Sequence, residues 1–294
     1  MPTKSNILII VIDQFRADLL DGALGETANL KNMQALSDQC STFGGHYSVV
    51  TPCGPSRVSL FTGQYAMNHR AVRNGTPLRH DTPNLARALR GVGYNPLLFG
   101  YTDVAHDPRA LEADDPKLTS YEELLPGFTE VLRQRQESDD KTWRNHLRAA
   151  GYDVPDGMAL YIPDGDTIDA PARFRAEDSD TAFMTDRFLD RMDTENPGWC
   201  ATLTYIRPHP PFVAPAPYNR MYDPRNLPPI RQSEDNSVHP FVEAARLSRP
   251  ASSTVEGFPD LVATPDTVDK LRSLYLGLAA EVDHHVGRIV DWQS

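Results

Sequence analysis

The feature that most constrains the fold is a run of six aliphatic residues, Ile7-Leu-Ile-Ile-Val-Ile12, closed by Asp13 and Gln14. Six residues are too few to span a membrane or to form the apolar core of a signal peptide. A continuous, β-branched run without polar alternation reads as a central parallel strand buried on both faces. Open parallel sheets take their ligands beyond the carboxyl ends of the strands, which is where Asp13 and Gln14 lie. An aspartate there serves equally well as a turn or cap residue, and position alone does not separate the two.

Similar units recur down the chain. Asn29 to Cys40 has apolar residues at helical spacing, which places Cys40 in the core. Thr82-Pro83 opens a helix and Gly91 and Gly93 stop it; Pro96 to Phe99 then reads as a short parallel strand. Ser179 to Asp193 is helical, and Trp199 to Tyr205 is a strand that buries Cys200. Thr264-Pro265 starts a long helix with Val268, Leu271, Tyr275, Leu278, Val282 and Ile289 on one face. Residues 104–175 and 213–262 show little periodicity and read as elaborations over the site, with Glu137 to Asp140 a solvated charge run. Strand–helix alternation implies an α/β fold, a mostly parallel sheet between helices, treated as one domain over residues 1–294.

Cys53-Gly54-Pro55-Ser56-Arg57 carries the chemistry. Proline suits the first turn of a helix, since its missing N–H needs no partner there. Cys53 therefore sits at a helix N-terminus, where free backbone N–H groups favour negative charge. Arg57, one turn on, can reach the same spot. The arrangement suits an anionic nucleophile or substrate, although a lone cysteine is ordinarily a small buried hydrophobe. His209, between Pro208 and Pro210 just after the strand ending at Tyr205, is held at the same carboxyl edge. His46, His69 and Arg70 read as structural or solvated loop residues.

Cys53-x-Pro55-x-Arg57 followed by Leu60-x-Thr62-Gly63 resembles the signature of the sulfatase branch of the alkaline-phosphatase superfamily. In that family the cysteine is converted to formylglycine by a formylglycine-generating enzyme, and the aldehyde hydrate is the nucleophile. The resemblance implies an alkaline-phosphatase-like fold, with Asp13, Gln14 and the modified Cys53 as ligands of one divalent metal, Mn²⁺ or Ca²⁺ ahead of Zn²⁺. It implies Cys53, Arg57 and His209 as catalytic residues, with His209 assisting the leaving oxygen. Gln14, Asn74 and Tyr101 resemble the phosphonate monoester hydrolases within that branch, where Asn74 and Tyr101 bind substrate. Typical sulfatases have lysine at the place of Tyr101 and histidine at the place of Asp103, and Asp103 reads as a turn residue. The expected activity is hydrolysis of phosphonate monoesters or phosphate diesters. Sulfate ester hydrolysis, as in arylsulfatases, is the alternative; an inactive fragment lacking half of the metal site is a second one.

Composition narrows the partners. A net charge of −11 over 294 residues disfavours nucleic acid, so an anionic ester needs local positive charge. Three cysteines make a disulfide framework a poor reading. The expectation is a cytoplasmic protein with a small anionic ester as substrate, no membrane partner, and a homo-oligomer as an open option. Asp283-His284 is rejected as a metal pair because it lies inside the long helix. That helix runs to the end of the chain without a glycine or proline stop, and the resemblance covers only the N-terminal part of the family fold. Both observations imply a chain incomplete at its C-terminus, with its metal site half formed.

Overall fold

The computed structural model describes residues 4–135, 139–230, 240, 243–244 and 248–293. Its strands are β1 (Ile7–Ile12), β2 (Pro96–Gly100), β3 (Thr129–Arg133) and β4 (Cys200–Tyr205). Its helices among the described residues are α1 (Gly22–Ala28), α2 (Lys31–Gln39), α3 (Cys53–Thr62), α4 (Ala66–His69), α5 (Leu85–Gly91), α6 (Lys141–Ala149), α7 (Asp180–Met192) and α8 (Pro265–Gln293). The chain forms two compact units: Met1–Asp13, Thr42–Arg144 and Met184–Tyr205 in the first, and Gln14–Ser41, Asn145–Phe183 and Ile206–Ser294 in the second.

The first unit holds a four-stranded sheet in the order β1-β4-β2-β3, every pairing parallel. Side chains alternate across β2. Leu98 joins Val58 and Phe61 of α3, Ala86 of α5, Leu125 and Phe128 in one apolar cluster, where the Phe61 and Phe128 rings meet edge to face at 5.5 Å. Phe99 meets Phe188 of α7 edge to face at 5.2 Å. Helices therefore cover both faces, as an α/β sheet requires. This packing fixes α3, and with it the position of Cys53.

The structure corrects several expectations about these elements. β1 is half-buried along its whole length, and among the described residues it pairs only with β4; the fully buried central strands are β2 and β4. The segment 104–175 also contains β3 and α6. The sequence of β3, Thr-Glu-Val-Leu-Arg, is too polar to stand out as a strand, because a strand with one neighbour can leave its polar side chains in water. Helix α5 starts at Leu85 rather than Thr82, because the Asn84 side chain accepts the Arg87 N–H and sets the cap. Of the charge run at Glu137 to Asp140, the first two residues lie outside the described residues. Asp139 and Asp140 are paired with Arg133 and Arg144.

The second unit is organised by α8, roughly 43 Å long at 1.5 Å per residue. It buries Leu274, Leu278, Val282 and Ile289. Tyr218 approaches it so closely at Gly277 that any Cβ there would collide with the Tyr218 carbonyl. Asp283 accepts hydrogen bonds from the backbone N–H groups of Asn32 and Met33 at 3.2 and 2.8 Å, which satisfies the N-terminus of α2. Its carboxylate is thus a helix cap, in keeping with the rejection of a metal role. Cys40, expected in the core, is exposed at the end of α2. Its helix stops one residue earlier, so the periodicity that placed it inward no longer applies.

Candidate functional site

Cys53 is the first residue of α3, and the preceding Pro52 offers no side chain to cap the helix. Asn74 does so from a neighbouring loop. Its Oδ1 accepts the Gly54 N–H at 3.0 Å, and its Nδ2 donates to Cys53 Sγ at 3.0 Å. One amide thereby satisfies a free helix N–H and orients the reactive atom at position 53. Glycine at 54 is needed for this closeness: a Cβ there would lie 3.0 Å from Asn74 Oδ1 and 3.1 Å from the Asp103 carbonyl oxygen.

Arg57 is 4% exposed. Its Nη2 lies 3.3 Å from Asp13 Oδ2 and donates to the Tyr101 hydroxyl at 3.1 Å. The guanidinium carbon sits 4.3 Å from the Tyr101 ring centre. Tyr101 in turn donates its hydroxyl proton to Asp13 Oδ2 at 2.5 Å. Burial opposes the charge on Arg57, but Tyr101, Asp13 and Asp103 outweigh it and hold the guanidinium ionised. Burial, with the Asp13 carboxylate, pushes the Tyr101 phenol well above its ordinary range, so it keeps its proton and acts as a donor.

Asp103, read as a turn residue, belongs to the site. Its φ of +56° is a turn conformation, but its side chain is buried and hydrogen-bonded to Cys53. Thr102 fixes the loop after β2 by donating to Glu123 O and accepting from Leu125 N, both at 2.8 Å. Tyr101 and Asp103, on either side of it, both reach the site. The signal available in the sequence was the position just past a strand end, shared with Asp13.

The electrostatics reverse one expectation. A cysteine at a helix N-terminus near an arginine should be acidic. Here burial and the adjacent Asp103 carboxylate push the Cys53 thiol up to about 12, against the lowering hydrogen bond from Asn74. The thiol is protonated at neutral pH, and the site carries two carboxylates against one guanidinium.

The structure thus brings Asp13, Cys53, Arg57, Asn74 and Tyr101 together in the first unit and adds Asp103. Gln14 and His209 belong to the second unit. Gln14 is exposed, in a left-handed conformation, and its carbonyl accepts the Tyr275 hydroxyl at 2.8 Å. The His209 ring places Nδ1 2.6 Å from Pro210 O. A carbonyl can only accept, so Nδ1 carries the proton and Nε2 is free to exchange one. His69 is not a solvated loop residue: it is buried, with Nε2 2.9 Å from Ser59 Oγ and Nδ1 accepting the Ala71 N–H. Asp13 and Asp103 are hard oxygen donors of the kind a divalent cation takes. They do not suffice in number, and among the described residues no group of three or more His, Cys, Asp or Glu side chains is arranged to hold a metal ion. Among those residues no helix is long and apolar enough to cross a membrane.

The family model described as Sulfatase matches residues 5–293. The multifunctional alkaline phosphatase superfamily protein PehA of Trinickia caryophylli is 35% identical over 305 residues, covering 98% of this chain and 59% of that protein. A phosphonate monoester hydrolase from Silicibacter pomeroyi superposes with a TM-score of 0.94 at 52% identity, covering 98% of this chain and 59% of the other. The phosphonate monoester hydrolase of Agrobacterium radiobacter gives a TM-score of 0.91 at 36% identity with the same coverage. The chain therefore spans about six-tenths of the length of these relatives.

Proposed function

This chain belongs to the sulfatase family, and from that premise we propose that it serves the hydrolysis of phosphonate monoesters and phosphate diesters, with position 53 converted to formylglycine. The observation that carries the reading is the cluster at α3: Asn74 aimed at the atom borne by residue 53, a protonated thiol between carboxylates, and Tyr101 where a sulfatase has lysine. A thiol pushed up to about 12 is a poor nucleophile at neutral pH, so an unmodified cysteine does not explain the site. Formylglycine would supply a hydrated aldehyde whose hydroxyl attacks phosphorus and whose breakdown frees the product.

The chain's own residues then have distinct tasks. The Asn74 amide N–H orients the attacking oxygen. The Asp103 carboxylate accepts a proton from the group at residue 53. Arg57 faces the charge developing on the non-bridging oxygens, and the Tyr101 phenol gives a neutral donor beside it. The resemblance gives the leaving-group proton to His209, whose Nδ1–H is committed to Pro210 O within the second unit. The resemblance also brings a divalent metal into the reading. Asp13 and Asp103 are too few donors to hold one, so no step is assigned to it.

The test is kinetic. The chain should be produced with a formylglycine-generating enzyme and the aldehyde at position 53 checked by peptide mass spectrometry. Phosphonate monoesters and phosphodiesters are expected to exceed aryl sulfates in kcat/KM, and Cys53→Ala to abolish turnover in a folded chain. A preference for aryl sulfate, or full activity with an unmodified thiol, overturns the reading.

A further inference from the structure

Asp103 turns onto position 53 from a loop in which both of its neighbours are gripped by one residue, Glu123. On one side, the Thr102 hydroxyl donates to the Glu123 carbonyl at 2.8 Å. On the other, the Val104 N–H donates to that same carbonyl at 3.4 Å, and the Glu123 N–H donates to the Val104 carbonyl at 3.1 Å. Asp103 between them has a φ of +56°, a left-handed conformation that is sterically costly for a residue with a Cβ. Tyr101 has anchors of its own: its hydroxyl donates to Asp13, and its ring and carbonyl face the Arg57 guanidinium.

Glu123 lies outside the strands and helices described above, so its own contacts fix it. Val104 and Leu125 pack in the apolar cluster and bring the two segments together, but apolar packing is non-directional. The direction comes from an ion pair. Both Glu123 carboxylate oxygens face Arg135, Oε1 at 3.1 Å from Nη1 and Oε2 at 3.4 Å from Nη2. Arg135 is 2% exposed, and Glu130 Oε1 holds its Nη2 at 3.0 Å. His106 Nε2 lies 3.9 Å from Glu123 Oε2. A bidentate pair of guanidinium and carboxylate fixes orientation as well as distance. Buried pairs add little stability over apolar side chains of the same volume, so this one calls for a role that uses its direction. Setting the backbone at residue 123, which grips Asp103 from both sides, is such a role.

We propose that Glu123, locked by Arg135, is a positioning residue that holds the Asp103 carboxylate on the group at position 53, a role that rests on the part given to Asp103 above. All of these residues belong to the first unit. Because the grip acts through Asp103, removing the Asp103 carboxylate should remove most of the effect of loosening the grip.

The experiment measures wild type, Thr102→Val, Thr102→Ser and Glu123→Gln, each with and without Asp103→Asn and with aldehyde at position 53, on the p-nitrophenyl ester of one phosphonate. Valine lacks the threonine hydroxyl, and glutamine keeps the length of Glu123 without its charge. Thr102→Val and Glu123→Gln are each expected to lose about tenfold or more in kcat with little change in KM. Thr102→Ser keeps the hydroxyl and should stay within about threefold of wild type. In the Asp103→Asn background, Thr102→Val and Glu123→Gln should cost less than about twofold further. If Asp103→Asn by itself leaves kcat unchanged, the part given to Asp103 fails, and the inference with it. If Asp103→Asn lowers kcat but the other two substitutions cost as much in its background as in wild type, the inference alone fails. A second readout needs no turnover. Backbone NMR shifts and the amide–Hα coupling of Asp103 should report the left-handed turn in wild type and Thr102→Ser, and its loss in folded Thr102→Val and Glu123→Gln. A left-handed Asp103 that persists in both of those variants overturns the proposal.

Discussion

The Tyr101 hydroxyl donates to Asp13 Oδ2 at 2.5 Å while Arg57 approaches the same oxygen to 3.3 Å. One carboxylate oxygen at the end of β1 thus gathers a neutral donor from the loop after β2 and a cation from α3. Tyr101→Phe removes one of the two and leaves a buried carboxylate less satisfied. The expected cost is about 1–3 kcal/mol in denaturant unfolding. Tyr101→Lys brings a point charge to the same place, so in the active protein it should raise the ratio of sulfate to phosphonate turnover. A ratio unmoved by lysine would count against the part given to the phenol.

Cys53 should resist alkylation at neutral pH. Burial and Asp103 keep its thiol protonated, near 12, so the thiolate becomes available only in strong alkali. Removing the carboxylate in Asp103→Asn makes the thiolate less costly and should lower that value. Iodoacetamide labelling with peptide mapping at several pH values measures it. Exposed Cys40 provides the reference, labelling first in both proteins. Equal rates at Cys53 in the two proteins would refute the electrostatic account.

Glu281 predicts a pH dependence of stability. Burial raises its carboxyl from 4.5 to about 8 in the folded chain, assisted by Asp180. The folded state then binds the proton more tightly than the unfolded state between these values, so stability is full below pH 4.5 and falls as pH rises through 8. The loss is at most about 5 kcal/mol at 1.36 kcal/mol per unit. In Glu281→Gln this segment of the stability curve should be flat. Urea unfolding across the window reads it directly, and an identical slope in the variant would remove Glu281 as the cause.

The cysteines should differ by place. Cys200 is fully buried in β4, and its replacement by alanine leaves a small cavity expected to cost about 1–2 kcal/mol. Cys40→Ala, at an exposed helix end, should stay within about 0.5 kcal/mol. Thermal denaturation of the two variants makes the comparison, and similar shifts would contradict the burial.

Divalent cations should bind this chain weakly. Among the described residues Asp13 and Asp103 bring two carboxylates, four oxygens at most, where a hard cation takes about six or more. Calorimetric titration with Mn²⁺ or Ca²⁺ should give no tight stoichiometric isotherm. Tight binding abolished by Asp13→Asn would show a fuller donor set around that residue.

The sequence by itself determined the parallel strands at Ile7–Ile12 and Cys200–Tyr205, the helix opened by Pro265, and the Cys53-x-Pro55-x-Arg57 element, because local pattern suffices where burial is uniform or a cap is explicit. It did not show that, among the described residues, β1 pairs with β4 alone, since a strand's sequence records how apolar it is and not how many strands flank it. It hid β3, whose polar Glu130 finds ion-pair partners in Arg133 and Arg135. It misjudged Cys40 and His69, whose burial depends on what other segments cover them. Above all, it could not foresee that Asp103 turns onto Cys53, or that two carboxylates outweigh a helix N-terminus and raise the thiol. Those are sums over residues distant in sequence, and only the tertiary structure sets the distances on which an electrostatic sum depends.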